Sequence, residues 1–390
     1  MLQDDATKLV LWDKEPLMRM LAKRLTPVSF GIFFLVCVSL PLCILAYIFD
    51  SEYFVIGFFE NISWSISVVF LFPLLAWLGF KYYEEIPKLF DHLLEDVAEG
   101  IPNEKKVDFY KWLDARFNNY ASTILIFILS LSLALIFFYE KQYDCQKGWE
   151  GWMFGGDLFY FSAEFVRGCG FTGVGFLAAI IQFVIGYWCM NLAFRAAVCY
   201  WGLYEFFNNK KKWNFRIRVN HLHPDRCCGL GRIGDLAMLF NVILFIIGMY
   251  VSLTVIDKIL VQGGEPFADI AIPLYLGGYI LIAPLLFFLP LGSARRIMKQ
   301  SKIDFLRPIS ERCEQLARLS GVDTGEKSSA AVSAFFEMEK LRIQIDREIP
   351  VWPFDFGSFL KFSGAIVMPV APVIGAFLTE LGGRLFQSGL

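Results

Sequence analysis

Long uncharged runs alternate with short polar stretches over most of the chain. Six runs approach the roughly 20 residues that a helix needs to cross the hydrocarbon core of a bilayer. They are Val28 to Phe49, Ile62 to Phe80, Tyr120 to Tyr139, Gly168 to Phe194, Leu236 to Ile256 and Ile270 to Ala294. Each predicts a membrane-spanning helix. A seventh, Phe362 to Thr379, contains Pro369 and Pro372 and reads either as a kinked span or as a re-entrant hairpin. The predicted fold class is all-α: a polytopic transmembrane helical bundle with a cytosolic helical part. Along the chain this becomes an N-terminal cytosolic segment (1–27), a six-helix transmembrane region (28–294) with cytosolic loops 81–119 and 195–235, a cytosolic helical segment (295–357) and a C-terminal membrane segment with its tail (358–390).

The period changes outside the runs. Tyr82, Ile86, Leu89, Phe90, Leu93, Leu94 and Val97 recur at helical spacing with Lys88, Asp91, Glu95 and Asp96 opposite, and Gly100 with Pro102 ends the pattern. An amphipathic helix beside or under the bundle follows. The fourth run continues past Arg195 through Tyr200, Trp201, Tyr204, Phe206 and Phe207, which predicts one long helix leaving the membrane. Residues 295–350 read as two or three helices broken near Pro308 and Gly321, the last with an apolar stripe of Ala334, Met338, Leu341, Ile345 and Ile349.

Composition strengthens the membrane reading. Of 390 residues, 56% are hydrophobic and 19% charged, with mean hydropathy +0.51, against about 45–50% and about 25% in soluble domains. A net charge of -2 leaves no whole-protein field for nucleic acid. Its distribution is informative, because 31 of the 36 Lys and Arg fall on the side of the N-terminus and four on the other, leaving one in the tail. The positive-inside rule then places the N-terminus in the cytosol of a multi-pass inner (plasma) membrane protein.

The central turns of the runs hold no Asp, Glu, Lys, Arg or His, and Arg195 and Asp235 lie at span ends. Proton relays, voltage sensors and many coupled transporters need such charges. Gln182, Asn191 and Asn241 either line a pore or bond between helices. Pro273, Gly277, Gly278 and Pro284 predict a bent sixth helix suited to gating. Cys145 and Cys169 bracket an external loop and are candidates for a disulfide. Walker A, HExxH and GxSxG patterns are absent, so the chain reads as no enzyme and calls for no cofactor.

The densest positive charge is the segment Lys210, Lys211, Lys212, Trp213, Asn214, Phe215, Arg216, Ile217, Arg218. Cations beside a membrane attract anionic lipid, at about 1 kcal/mol each. Interleaved with Trp213 and Phe215 they also suit a nucleotide or single-stranded oligonucleotide, whose bases stack on rings while Lys and Arg take phosphates. Downstream, His221, His223, Cys227 and Cys228 are metal-type donors, but adjacent cysteines and an HxH pair match no zinc spacing. No metal is therefore assigned. His223, Pro224, Asp225, Gly229 and Gly231 read instead as a tight turn in which Asp225 or His223 caps backbone amides ahead of the fifth span.

His223-Pro224-Asp225 followed by Gly229-Leu230-Gly231 resembles the HPDxxGGLG-type loop of a group of uncharacterised bacterial multi-pass membrane proteins, over about Asn220 to Ile297, with Cys228 where that pattern has Gly. The resemblance implies kinship of fold and no particular activity. Taken together, the residues predict an oligomeric channel or pore gated from the cytosolic side, in general plan similar to the depolarising effectors of anti-phage systems. The alternatives are a transporter of a lipid or apolar solute and a non-conducting scaffold or sensor. Implied partners are membrane lipid, further copies of the chain, the anionic ligand and a regulatory protein.

Overall fold

The computed structural model describes residues 25–49, 62–146, 173–208, 210–219, 225, 227–260, 271–319, 329–349, 351–353, 364, 367–369, 371 and 375. These are mostly helical. Helix α1 (Pro27–Phe34) opens on Thr26, whose Oγ1 accepts from Ser29 N at 3.3 Å, with Pro27 in the first turn where its missing N–H costs nothing. It runs through a π-helical turn (Leu35–Ser39) into α2 (Leu40–Phe49). The second path repeats this plan: α3 (Ile62–Ile66), a π turn (Ser67–Leu71), α4 (Phe72–His92) and a further π turn (Leu93–Val97).

Two prolines explain the first two widened turns. Pro41 and Pro73 each stand two residues beyond a π turn. A proline ring presses on the carbonyl one turn back and offers no N–H. One extra residue in that turn relieves the clash and leaves a carbonyl unfilled. Phe72 N is taken by Ser67 O, and Pro73 has nothing to donate to Val68 O. Ser39 Oγ donates to that carbonyl at 2.6 Å, from the π turn facing it.

Beyond these come β1 (Ala98–Glu99), α5 (Asn103–Phe117), α6 (Tyr120–Gln146), α7 (Gly173–Asn208), α8 (Lys210–Trp213), β2 (Arg216–Ile217), α9 (Gly231–Leu260), α10 (Ala271–Leu319) and α11 (Ser329–Glu348). Helix α4 is the central strut, packed by α1, α7 and α9. Its Tyr82, Tyr83, Ile86 and Phe90 are almost wholly buried. The strut meets neighbours where they are small: a Cβ on Gly202 of α7 would come within 2.7 Å of the Phe90 ring. Helix α6 packs along α7 and leaves Ile124, Ile128 and Leu135 exposed.

Among the described residues, five helical stretches are long and apolar enough to cross a membrane: Pro27–Ile48, Ser63–Val97, Asn103–Ile136, Leu177–Asn208 and Gly231–Ile256. Each overlaps one of the first five runs read from the sequence. The sixth run lies in α10, and the predicted long fourth helix is α7. One expectation is corrected: α10 passes through Pro308 without a break. Pro308 lies on an exposed face, where the carbonyl it frees can bond water, so the helix continues. Ion pairing of Lys302 with Asp346 at 2.9 Å ties α10 to α11. Most of Phe362 to Thr379 lies outside the described residues, although Ser252 Oγ of α9 donates to Pro369 O.

Candidate functional site

Among the described residues, polar contacts join α4, α5, α7, α8 and α9: Tyr110 Oη donates to Asp91 at 2.5 Å, Lys212 pairs with Glu205 and Arg232 bonds to Lys88 O. Three features meet there.

The first is the basic segment. After α8, Asn214 turns the chain with φ 55°, and β2 pairs antiparallel with β1, matching Ala98 to Ile217 and Glu99 to Arg216. Arg218 N extends the pairing by donating to Val97 O at 2.8 Å. Side chains alternate across such a pair, and here Phe215 and Ile217 turn inward while Arg216 and Arg218 stay exposed. Trp213 is 4% exposed, with its ring 5.1 Å from Phe109 and 6.2 Å from Trp112; Phe215 is 7% exposed and 4.9 Å from Phe206. Of the two readings of the segment, lipid attraction and base stacking, the second needs these rings free. In this structure they form the core beneath the segment, while Arg216 and Arg218 face out. Lys212 is committed within the fold, 2.6 Å from the buried Glu205 and 4.5 Å above the Trp213 ring. The Lys210 and Lys211 side chains lie outside the described residues.

The second feature is the turn before α9. Asp225 Oδ1 accepts from Cys227 N at 2.8 Å and Gly229 N at 3.1 Å, and Oδ2 accepts from Gly231 N at 3.0 Å. One carboxylate thus fills three backbone donors at a helix start, where the helix dipole also favours negative charge. Cys228 and Gly229 take φ of 60° and 84° to wrap around it, and a Cβ on Gly231 would sit 3.0 Å from Oδ2. His92 closes the turn from α4, with Nε2–H donating to Gly229 O at 2.9 Å and Nδ1 2.6 Å from Asp96. Burial, and then the neighbouring Asp225, push the Cys228 thiol up to about 11, so it stays protonated near neutrality. No cluster able to hold a metal ion occurs among the described residues. His221, His223, Pro224 and Cys169 lie outside them, as does the side chain of Cys145.

The third feature was not anticipated from the sequence. A cleft of about 370 Å³ opens between α4 and α9, lined by Lys81, Glu85, Leu89, Arg232, Asp235, Leu236 and Leu239. Lys88 pairs with Glu85 at 2.8 Å, and Arg232 Nη1 donates to Lys88 O at 3.2 Å across the two helices. Its signal was present but split: Lys81 and Glu85 stand one turn apart after the second run, and Arg232 and Asp235 stand just before the fifth. Only the pairing of α4 with α9 brings them together.

The remaining predicted positions are dispersed. Pro273, Gly277, Gly278 and Pro284 are helical in α10, away from the widened turns of the first two paths. Asn191 Nδ2 bonds back to Tyr187 O at 3.2 Å, while Gln182 Oε1 accepts from Tyr250 Oη at 3.5 Å between α7 and α9. Asn241 Oδ1 and Ser67 Oγ are buried with no hydrogen-bond partner among the described residues. Arg195 is buried within the bundle, its guanidinium 5.5 Å from the Tyr83 ring centre. In comparisons with known proteins, no family model matches the chain, and no curated protein or solved structure matches it.

Proposed function

We propose that the protein is an oligomeric channel of the inner membrane, with six spans and a cytosolic N-terminus, gated from the cytosolic face. The observation that carries this reading is the continuity of the path Ser63–Val97. At one end, the β1–β2 pair fastens it to the basic segment. Near its other end it carries the π turn that faces its counterpart across the Ser39 to Val68 hydrogen bond. Widened turns are places where a helix bends at low cost, and they recur at functional sites. Movement of the basic segment is thereby delivered to a polar, bendable point inside the bundle.

The ligand that moves the segment is an anion held by charge. With Trp213 and Phe215 in the core, Arg216 and Arg218 present the recognition surface, and phosphate groups rather than stacked bases are what they suit. The deciding measurement is current across a planar bilayer containing purified protein, with nucleotides and then oligonucleotides added to the cytosolic side. Discrete unitary currents that these anions open or block are the expected result. A silent bilayer, with the protein shown to be inserted and folded, would overturn the channel reading and leave a transporter or scaffold.

A further inference from the structure

The cleft between α4 and α9 has a charge pattern that restricts what can occupy it. Lys81 and Arg232 supply two cations, Glu85 and Asp235 two carboxylates, and Leu89, Leu236 and Leu239 an apolar wall. A polyanion would meet the carboxylates, and a simple cation would meet the bases. A ligand carrying both signs a few bonds apart satisfies all four. The volume, about 370 Å³, is within the range of small-ligand sites, about 300 to 1,000 Å³. The cleft also lies where the second run ends at Phe80 and the fifth begins at Leu236. In the membrane placement proposed above, on which this inference rests, that is the level of the lipid headgroups.

We propose that this cleft binds a phosphoethanolamine group, with the phosphodiester toward Lys81 and Arg232 and the primary ammonium toward Glu85 and Asp235. The ammonium carries three N–H donors that two carboxylates can accept. A choline headgroup has the same phosphodiester and the same charge but no donor, so it isolates the contribution of the acidic pair. Arg232 is held at the rim by its bond to Lys88 O, and Glu85 is steadied by Lys88, so the charged walls are set before a ligand arrives. The inference is independent of conduction, because binding is measured without current.

The test uses full-length protein in detergent, titrated with phosphatidylethanolamine, phosphatidylcholine and phosphatidylglycerol of matched acyl chains, with bound lipid counted by native mass spectrometry. Phosphatidylethanolamine is expected to bind about tenfold tighter than phosphatidylcholine, the size of one charge-assisted hydrogen bond. Asp235→Asn, an exposed change, should reduce that preference, and Glu85→Gln with Asp235→Asn should abolish it while phosphatidylcholine binding holds. Lys81→Met with Arg232→Met should weaken both zwitterionic lipids alike. Free phosphoethanolamine distinguishes the sources. Competition by it indicates that the headgroup alone is recognised, whereas a retained lipid preference without competition identifies the membrane lipid as the ligand. Equal binding of the two zwitterionic lipids, a preference that survives the double carboxamide change in folded protein, or tighter binding of phosphatidylglycerol would each overturn the proposal. A silent bilayer in the channel experiment leaves these outcomes unchanged.

Discussion

Helices α4 and α6 both follow from long apolar runs, yet they occupy opposite situations. Within the stretch Ser63–Val97, 61% of the most apolar window is buried; within Asn103–Ile136, the figure is 17%. Hydropathy does not separate them, because lipid solvates an apolar helix as well as protein does, and burial in a membrane follows shape. The strut α4 presents large rings, and its neighbours supply the space: Gly31 of α1 faces Trp77, and Gly202 of α7 faces Phe90. Helix α6 is rich in Ile, Leu, Phe and Ser and has no glycine, and among the described residues its substantial contacts are with α7. Close approach identifies the core here; apolarity identifies only the medium.

The largest way to break this contrast is to empty the strut's tightest contact. Phe90 is fully buried, against Gly202 and with Phe109 6.0 Å away. Phe90→Ala leaves a cavity that the rigid neighbours cannot close and should cost about 3–5 kcal/mol. Chemical unfolding in detergent micelles checks this. A loss below about 1 kcal/mol would mean that α7 can collapse onto α4, and that the strut is less rigid than its burial indicates.

Asp225→Ala is a smaller perturbation of the same end of the bundle. It removes the acceptor for Cys227 N, Gly229 N and Gly231 N, and loss of a helix cap costs about 0.5–2 kcal/mol. Hydrogen exchange of those amides should accelerate while the amides of α6 keep their protection. Asp225→Asn keeps the oxygen that Cys227 and Gly229 share but replaces the second acceptor with a donor facing Gly231 N, so it should fall between the two. If Asn behaves as Ala does, the charge at the start of α9 matters more than the bonds.

What could be read in the sequence depended on how local the cause was. Run length revealed the long apolar helices, and the spacing of Tyr82, Ile86, Phe90 and Val97 revealed the buried face of the strut. Asp225 could be identified as a cap because its partners lie within six residues of it. The inward turn of Phe215 could not, since it follows from a two-residue strand pairing with Ala98 and Glu99, more than a hundred residues upstream. A segment that short has too few positions to display its period. The acidic and basic walls of the cleft were hidden for the same reason, being halves of one site on two helices. Pro308 misled because a proline's effect depends on whether the freed carbonyl reaches water, and exposure is a property of the fold.

The mildest test concerns the outer face of α6. Ile124, Ile128, Leu131 and Leu135 form an exposed line at helical spacing. If lipid covers this line, removing three methyl-type carbons from one position exchanges lipid contact for lipid contact, and Ile128→Ala should change stability by no more than about 0.5 kcal/mol. The copy number read by native mass spectrometry should also stay the same. A fall in copy number at unchanged protomer stability would mean that a second copy covers the line, because packing between helices depends on close fit in a way that contact with fluid lipid does not. The helix that looks least constrained in one protomer would then be the one that builds the assembly.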